Sequence, residues 1–401
     1  MTTPIYMDSH ATTRVDPRVV EAMLPFFEEH YGNAASRHHR FGWIARDAVT
    51  EARAAVATLI GAPSRAVVFT SGASESNNLA LKGIADQSRD RGNHLVTVQT
   101  EHRAVLDPLR RLEQQGFQVS CVPVRSDGIV DLSRLDAALT PATVLVSVMM
   151  ANNEIGVLQP IAELTRNLRA RHIPFHTDAA QAAGHVPIDV QADGIDLLSL
   201  TAHKLYGPKG IGALYVRPGL EVTPLLDGGG HEYGLRSGTL NVPGIVGFGR
   251  AATLCCHAMH DDAIRLASLR DRLLNELRQV IPDLQVNGSM AARLPHNLNI
   301  SVPGLPGEQL LMGLEGVAVS SGAACSSGTR EPSHVLRALG VPERLAEASL
   351  RFGLGRFNTD AEVDAVVEQV GSLVARLRAP VPVFEVEEND DDVPPEWQMD
   401  L

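Results

Sequence analysis

The sequence predicts an α/β protein built on a mainly parallel, doubly wound sheet, with a smaller α+β part attached. Three observations carry that reading. Apolar, β-branched runs alternate with helical stretches between Ala66 and Val216. Polar clusters recur just after those runs. Past Gly244 the texture changes to one long helical segment followed by short mixed elements. Strands buried on both faces read as unbroken apolar runs, and crossover helices between them impose parallel order.

Taken in order, Ala66–Thr70, His94–Gln99, Phe117–Val122, Thr143–Met149, Ile173–Thr177 and Asp196–Leu200 are the expected strands. Sheets of this kind bind ligands beyond the carboxyl ends of their strands. The later half holds a helical segment to about Val280, a strand at Asn297–Val302 and a short helix. A small-residue loop (Ser320–Gly328), a strand around Leu350–Gly353 and a last helix (Asp360–Leu377) follow. Tyr6–Ala11 lacks a neighbouring partner and is expected to join this smaller part.

The chain has 401 residues and a formal net charge of −12, yet from Glu385 onward it carries eight acids and no base. The rest is only mildly acidic, which argues against nucleic acid as a main partner. Pro380–Leu401 is Pro-rich and acidic and is expected to be a mobile tail, with a docking role one reading of its single Trp397. No apolar run approaches membrane-spanning length, and the first residues lack the basic and apolar regions of a secretory signal. Four cysteines do not make a disulfide framework in a chain this long, so the cytoplasm is the expected compartment.

Thr70-Ser-Gly-Ala-Ser-Glu-Ser-Asn-Asn78 follows a strand and opens a helix, where backbone N–H groups suit a phosphate. His102 follows the next strand. Asn152 and Asn153 follow the one after, Asp178 and Gln181 end another, and Thr201-Ala-His-Lys204 closes the series. Each alone reads as a turn, a cap or a solvated charge. Together, five strands bring an anion cradle, an imidazole, an amide, a carboxylate and a lysine to one edge. Pyridoxal phosphate needs that set.

At these residues the sequence resembles the cysteine desulfurases, pyridoxal-phosphate enzymes of fold type I allied to the class V aminotransferases. The resemblance runs from about Ile5 to Leu377 and rests on SGASESNN (71–78), HTDAAQ (176–181), AHKLYGPKG (202–210), RSGTLN (236–241) and SSGAACSSG (320–328). It implies a large cofactor-binding domain at 15–245 with a seven-stranded type of sheet. Residues 1–14 and 246–379 would form a small domain carrying a mobile cysteine loop at 320–330. Lys204 would attach the cofactor covalently, Asp178 would meet its pyridine nitrogen, Gln181 its phenolic oxygen, and His102 its ring face. Ala73, Ser74, Thr201 and His203 would hold the phosphate, with Thr239 reaching it from the second subunit of a homodimer. Asn153 would lie beside the cofactor, and Asn33 and Arg351 would bind the substrate carboxylate. Tyr233 stands where arginine is common in the family, which leaves the contacts near the dimer edge open.

The same resemblance makes Cys325 the thiol that takes sulfur from L-cysteine as a persulfide, with alanine as product. The acceptors would be an iron–sulfur scaffold protein or a carrier for tRNA or cofactor thiolation. No resident metal is implied; at most Cys325 would touch a partner's iron–sulfur cluster. Small residues around Cys325 suit a thiol that must travel. Cys121, ending an apolar strand, reads as core, and Cys255 with Cys256 point about 100° apart on a helix, which disfavours a shared zinc. The rivals are a selenocysteine lyase or other β-eliminase, a class V transaminase and a non-catalytic sulfur-transfer scaffold. A dinucleotide oxidoreductase fits less well, because Ser71–Asn78 lacks the three-glycine fingerprint.

Overall fold

The structure, a computed structural model, describes residues 4–321 and 333–379. Its strands are β1 (Ile5–Tyr6), β2 (Val67–Thr70), β3 (His94–Val98), β4 (Gln118–Val122), β5 (Thr143–Ser147), β6 (Phe175–Asp178), β7 (Leu197–Thr201), β8 (Gly212–Val216), β9 (Gln285–Val286), β10 (Asn297–Ser301), β11 (Val317–Ala318) and β12 (Ser349–Gly353). The helices are α1 (Pro17–Met23), α2 (Pro25–Glu28), α3 (Arg40–Leu59), α4 (Ala73–Gln87), α5 (Arg103–Glu113), α6 (Leu132–Ala138), α7 (Ile161–Ala170), α8 (Val242–Val280), α9 (Gly307–Met312), α10 (His334–Ala338), α11 (Glu343–Glu347) and α12 (Asp360–Arg378).

Seven strands form the large sheet in the order β2-β8-β7-β6-β5-β3-β4. Only β8 runs against the others, so β2, β3, β5, β6 and β7 all end on the same edge. Alternate residues feed two apolar layers: Leu95 and Leu197 face α4 and α5, while Val96 and Leu198 face the layer that holds α3 and the first half of α8. The result is the expected α/β sandwich with a helical layer on each face of the sheet. The run Gly212–Val216, which the sequence reading passed over, supplies the antiparallel strand. Gly212 is required there, because a Cβ would meet the Cα of Gly72 at 2.6 Å.

A three-stranded antiparallel sheet (β12-β10-β9) and the parallel pair β1-β11 make the smaller core with α9, α12 and the second half of α8. The N-terminal segment thus pairs with Val317–Ala318 rather than with the large sheet. Residue 245, the expected domain boundary, falls inside α8, a helix of 39 residues. Its apolar side chains change core between Cys255 and Leu266. Thr359 and Glu362 close a reciprocal cap at the start of α12, each satisfying the other's backbone N–H.

Cys121 corrects the sequence reading. It is exposed, because β4 is the outermost strand of the sheet. An apolar run shows that a strand exists, not whether it sits at an edge.

Candidate active site

Six short segments meet at the strand-end edge. After β2, Gly72 takes a φ of +156° and begins α4 with no side chain capping it. The first N–H groups of that helix, at Ala73 and Ser74, have no side-chain cap, and the Thr201 hydroxyl stands beside Gly72. A Cβ at Gly72 would lie 3.9 Å from that hydroxyl. His203 turns Nδ1 toward Thr12 Oγ1 at 3.1 Å. Burial, then Lys204 and Lys209, bring its pKa down to about 4, so it offers an uncharged ring.

Asp178 ends β6 and is buried. Its Oδ1 accepts from the Ala180 N–H at 2.9 Å, and its Oδ2 accepts from Asn77 Nδ2 at 2.7 Å. Three residues on, Gln181 is buried and bonds His10 twice, through Oε1 to the ring and through Nε2 to the carbonyl. Lys204, in the short turn after β7, directs Nζ at the carbonyls of His10 and Ala11. Burial, followed by the charge of Arg351, pulls its pKa down to about 8, with Asp8 and Asp178 opposing. An amine of that basicity has a usable neutral fraction near neutrality.

His102 caps α5, its Nδ1 accepting from the Ala104 N–H at 3.0 Å, which leaves Nε2 as the protonated nitrogen. The residue is exposed toward the cleft, yet enclosed enough that burial lowers its pKa while Asp178 raises it. It is therefore both the cap that a bland reading expects and a ring held at the site. Asn153 contributes its carbonyl to Arg351 Nη1 at 2.9 Å. Arg351 also pairs with Asp8 at 2.7 Å, and its Nε has no partner among the described residues. That free donor and the planar fork suit a carboxylate.

Among the described residues, no hydrogen bond or ion pair joins Asn33 or Thr239 to the other candidates. Asn33 Oδ1 accepts from Ala35 N, and both residues are exposed. Cys325 lies outside the described residues, as does the acidic tail. The described ends of its segment are both at this site. Ser320 exchanges two backbone hydrogen bonds with Arg351, and Ser333 bonds Glu154, the neighbour of Asn153.

Three functional neighbours escaped the sequence reading. Asn77 orients Asp178 from the second turn of α4. Glu101 is buried, accepts from Met149 N at 2.6 Å, and is driven well above the usual carboxylate range by burial and then by Asp178. His10 touches both Gln181 and Lys204 from the N-terminal segment. All three contacts span distant parts of the chain, so only the string SGASESNN carried any signal of them. A separate cleft of about 600 Å³ is lined by Arg103, Arg110, Cys121, His334 and Arg337 among others, and by none of the cofactor candidates. Although Cys121 is exposed at the sheet edge, partial enclosure of its thiol in this cleft pushes the pKa up to about 11. Cys255 is buried with its pKa raised likewise to about 11, while Cys256 is exposed.

The donor set fits pyridoxal phosphate: an uncapped helix start with a hydroxyl beside it, a carboxylate oriented by two donors, and a lysine of weakened basicity between them. Comparison with known proteins bears this out. The aminotransferase class V family matches residues 5–366. The cysteine desulfurase IscS of Anaeromyxobacter dehalogenans (strain 2CP-C) is 54% identical over 388 residues, covering 96% of each chain. That of Rickettsia peacockii (strain Rustic) is 50% identical over 96% of this chain and 95% of its own. Among solved structures, a NifS-like protein superposes with a TM-score of 0.88 at 37% identity, over 94% of this chain and all of the other. DndA from Streptomyces lividans gives a TM-score of 0.74 at 39% identity, over 86% and 97%. The chain belongs to the class V aminotransferase family, whose members of this fold carry pyridoxal phosphate. Its place within that family is among the cysteine desulfurases.

Proposed function

We propose that the protein takes the sulfur of L-cysteine as a persulfide on Cys325, releases L-alanine, and passes the sulfur to an acceptor protein. The observation that carries the reading is the convergence of Lys204 and the buried, Asn77-oriented Asp178 beside the uncapped start of α4. Bound pyridoxal phosphate supplies an electron sink for bonds broken next to the substrate's amino group. The remaining work falls to the chain's own residues. Ala73, Ser74, Thr201 and His203 hold the phosphate, and Asp178 keeps the pyridine nitrogen protonated. Gln181 donates to the phenolic oxygen, and His102 and Asn153 confine the ring.

Arg351 receives the substrate carboxylate through Nε and the fork, with Asn33 assisting. Lys204 Nζ holds the cofactor in the resting enzyme and then moves the proton at the substrate Cα. The Cys325 thiolate attacks the substrate sulfur. A sulfur–sulfur bond forms as the carbon–sulfur bond breaks, its electron pair stays on the carbon skeleton, and protonation of that skeleton gives alanine. The enzyme gains one sulfur atom, and no external oxidant or reductant is consumed.

A second copy of the chain is the partner best suited to the exposed apolar side chains Leu24, Phe27, Tyr31, Phe41 and Trp43. In such a homodimer Thr239 would complete the partner's phosphate site. Sedimentation at micromolar concentration tests this, and a monomer refutes it. The sulfur acceptor would be an iron–sulfur scaffold or a thiolation carrier, and free thiols favour the cytoplasm. Among the described residues no helix is long and apolar enough to cross a membrane.

Intact-mass measurement after incubation with L-cysteine is the direct test. One added sulfur atom, mapped to Cys325 and absent from Cys325→Ser, is the expected result. Undiminished sulfur uptake by Cys325→Ser would refute it.

A further inference from the structure

Behind Gln181 lies a run of buried polar groups that the reaction itself does not use. Arg293 Nη1 donates to Asn297 Oδ1 at 2.9 Å. Asn297 Nδ2 stands 3.0 Å from His10 Nε2 and also donates to the Glu154 carbonyl at 3.1 Å. His10 Nδ1 stands 2.9 Å from Gln181 Oε1, and Gln181 Nε2 donates to the His10 carbonyl at 3.0 Å. All four residues are buried: Arg293 is 6% exposed, Asn297 0%, His10 1% and Gln181 6%.

We infer that Arg293, Asn297 and His10 form a one-way hydrogen-bond chain that fixes the Gln181 amide with its N–H side toward the cofactor, making His10 and Asn297 positioning residues for the cofactor's phenolic oxygen. This rests on the reading of Gln181 given above and adds what determines its orientation.

The direction follows from which groups can only donate. A guanidinium has five donors and no acceptor, so the Asn297 atom facing it is the oxygen. The other side of that amide is then NH₂, which can only donate. His10 Nε2 must therefore accept, and its one ring proton sits on Nδ1. A protonated Nδ1 needs an acceptor, so the Gln181 atom beside it is the oxygen. The NH₂ of Gln181 then points the other way, with one N–H on the His10 carbonyl and the second without a protein partner among the described residues. Turning Gln181 over would set donor against donor at His10 and would present an oxygen to the phenolic oxygen. Burial makes such mismatches costly, because no water relieves them.

His10 cannot escape the constraint by taking a second proton. Burial, and then Arg351, hold its pKa well below the ordinary imidazole value. Arg293 is brought down to about 9 by burial and then by Arg270, so it remains charged near neutrality. The His10 ring also stacks on His296 at 4.5 Å between centroids, and His296 stacks on His185 at 4.0 Å. Hydrogen bonding and stacking thus make different demands on position 10, which allows them to be separated.

The readout is the pH midpoint of the bound cofactor's visible absorption, measured on holoenzyme. A donor on the phenolic oxygen favours its anionic, deprotonated form, so losing that donor raises the midpoint. Gln181→Met should raise it by about one pH unit, the size of one hydrogen bond to a charged atom. His10→Phe keeps a ring for the stack but no donor, and should raise it similarly. His10→Asn loses the ring but keeps an N–H for Gln181 Oε1, and should stay at the wild-type midpoint. The reverse pattern, with His10→Asn shifted and His10→Phe not, overturns the inference and makes His10 a packing residue. An unshifted His10→Phe beside a shifted Gln181→Met also overturns it while sparing the Gln181 reading. An unshifted Gln181→Met overturns both. Should a position 10 variant fail to load cofactor, ¹⁵N shifts of His10 in the wild-type protein decide. A protonated Nδ1 sustains the chain, and a protonated Nε2 breaks it.

Discussion

Asn77 Nδ2 donates to Asp178 Oδ2 at 2.7 Å across 101 residues of sequence, and the oxygen of the same amide has no partner among the described residues. A carboxylate only accepts, so it dictates which way the amide faces, and the amide in turn fixes the plane of the carboxylate. The contact ties helix α4 to the end of β6. It converts two local strings into one rigid unit.

Asn77→Ala should therefore impair catalysis without touching substrate. We expect kcat to fall about tenfold, the worth of one charge-assisted hydrogen bond, with KM for L-cysteine little changed. Asp178→Asn should cost about a hundredfold or more, since it removes the charge itself. Steady-state alanine formation measures both. A kcat for Asn77→Ala within twofold of wild type would remove the orienting role from Asn77.

Lys204 gives a stability prediction for the cofactor-free protein. Its pKa is depressed from 10.5 to about 8, so between those values the unfolded chain binds the proton more readily than the folded one. Stability then rises with pH across that window, and the penalty is complete below about 8. Urea midpoints should increase from pH 8 to pH 10 in the wild type relative to Lys204→Met. Parallel curves for the two proteins would contradict the depressed value.

Arg351 is held by Asp8 and by the Asn153 carbonyl before any substrate arrives. Arg351→Lys keeps a charge for Asp8 but loses Nε and the fork. KM for L-cysteine should rise about tenfold or more, while saturating cysteine still yields persulfide. A KM within twofold of wild type would remove Arg351 from carboxylate binding.

Glu232 is buried in a bidentate pair with Arg53 and also accepts from Phe69 N, at 2.6 Å in each case. Tyr233, where the family often has arginine, places its ring 5.4 Å from the same guanidinium. Glu232→Ala leaves Arg53 charged and buried, and should cost about 3 kcal/mol in chemical denaturation. A loss below about 1 kcal/mol would mean that solvent reaches Arg53.

The strand-end constellation was legible because each member follows a strand within a few residues, and the rule for doubly wound sheets then brings the members together. The same local logic found α8, α12 and the β10 and β12 runs to within a few residues. What stayed hidden depends on the order of strands and on long-range packing. Cys121 looked like core because an apolar strand does not announce that it is an edge. β8 was passed over because a short Gly-Ala-Leu-Tyr-Val run says nothing of its direction. His10 and Gln181 lie 171 residues apart, and no periodicity links them. Glu101 gave no signal in the sequence, since a raised carboxylate comes from enclosure that sequence does not display.

Helix α8 has one more consequence. Its 39 residues extend about 58 Å as a single rod, and the Gly249 backbone lies so close to Ala52 of α3 that a Cβ would sit 2.5 Å from the Ala52 Cα. A rod anchored this firmly at one end and embedded in the other core at its far end works as a strut. Swinging the half that bears Arg351 away from the half that bears Lys204 would bend it, and Arg356 braces the joint with ion pairs to Asp16 and Asp262. A hinge motion between the two halves is therefore opposed by the helix that joins them.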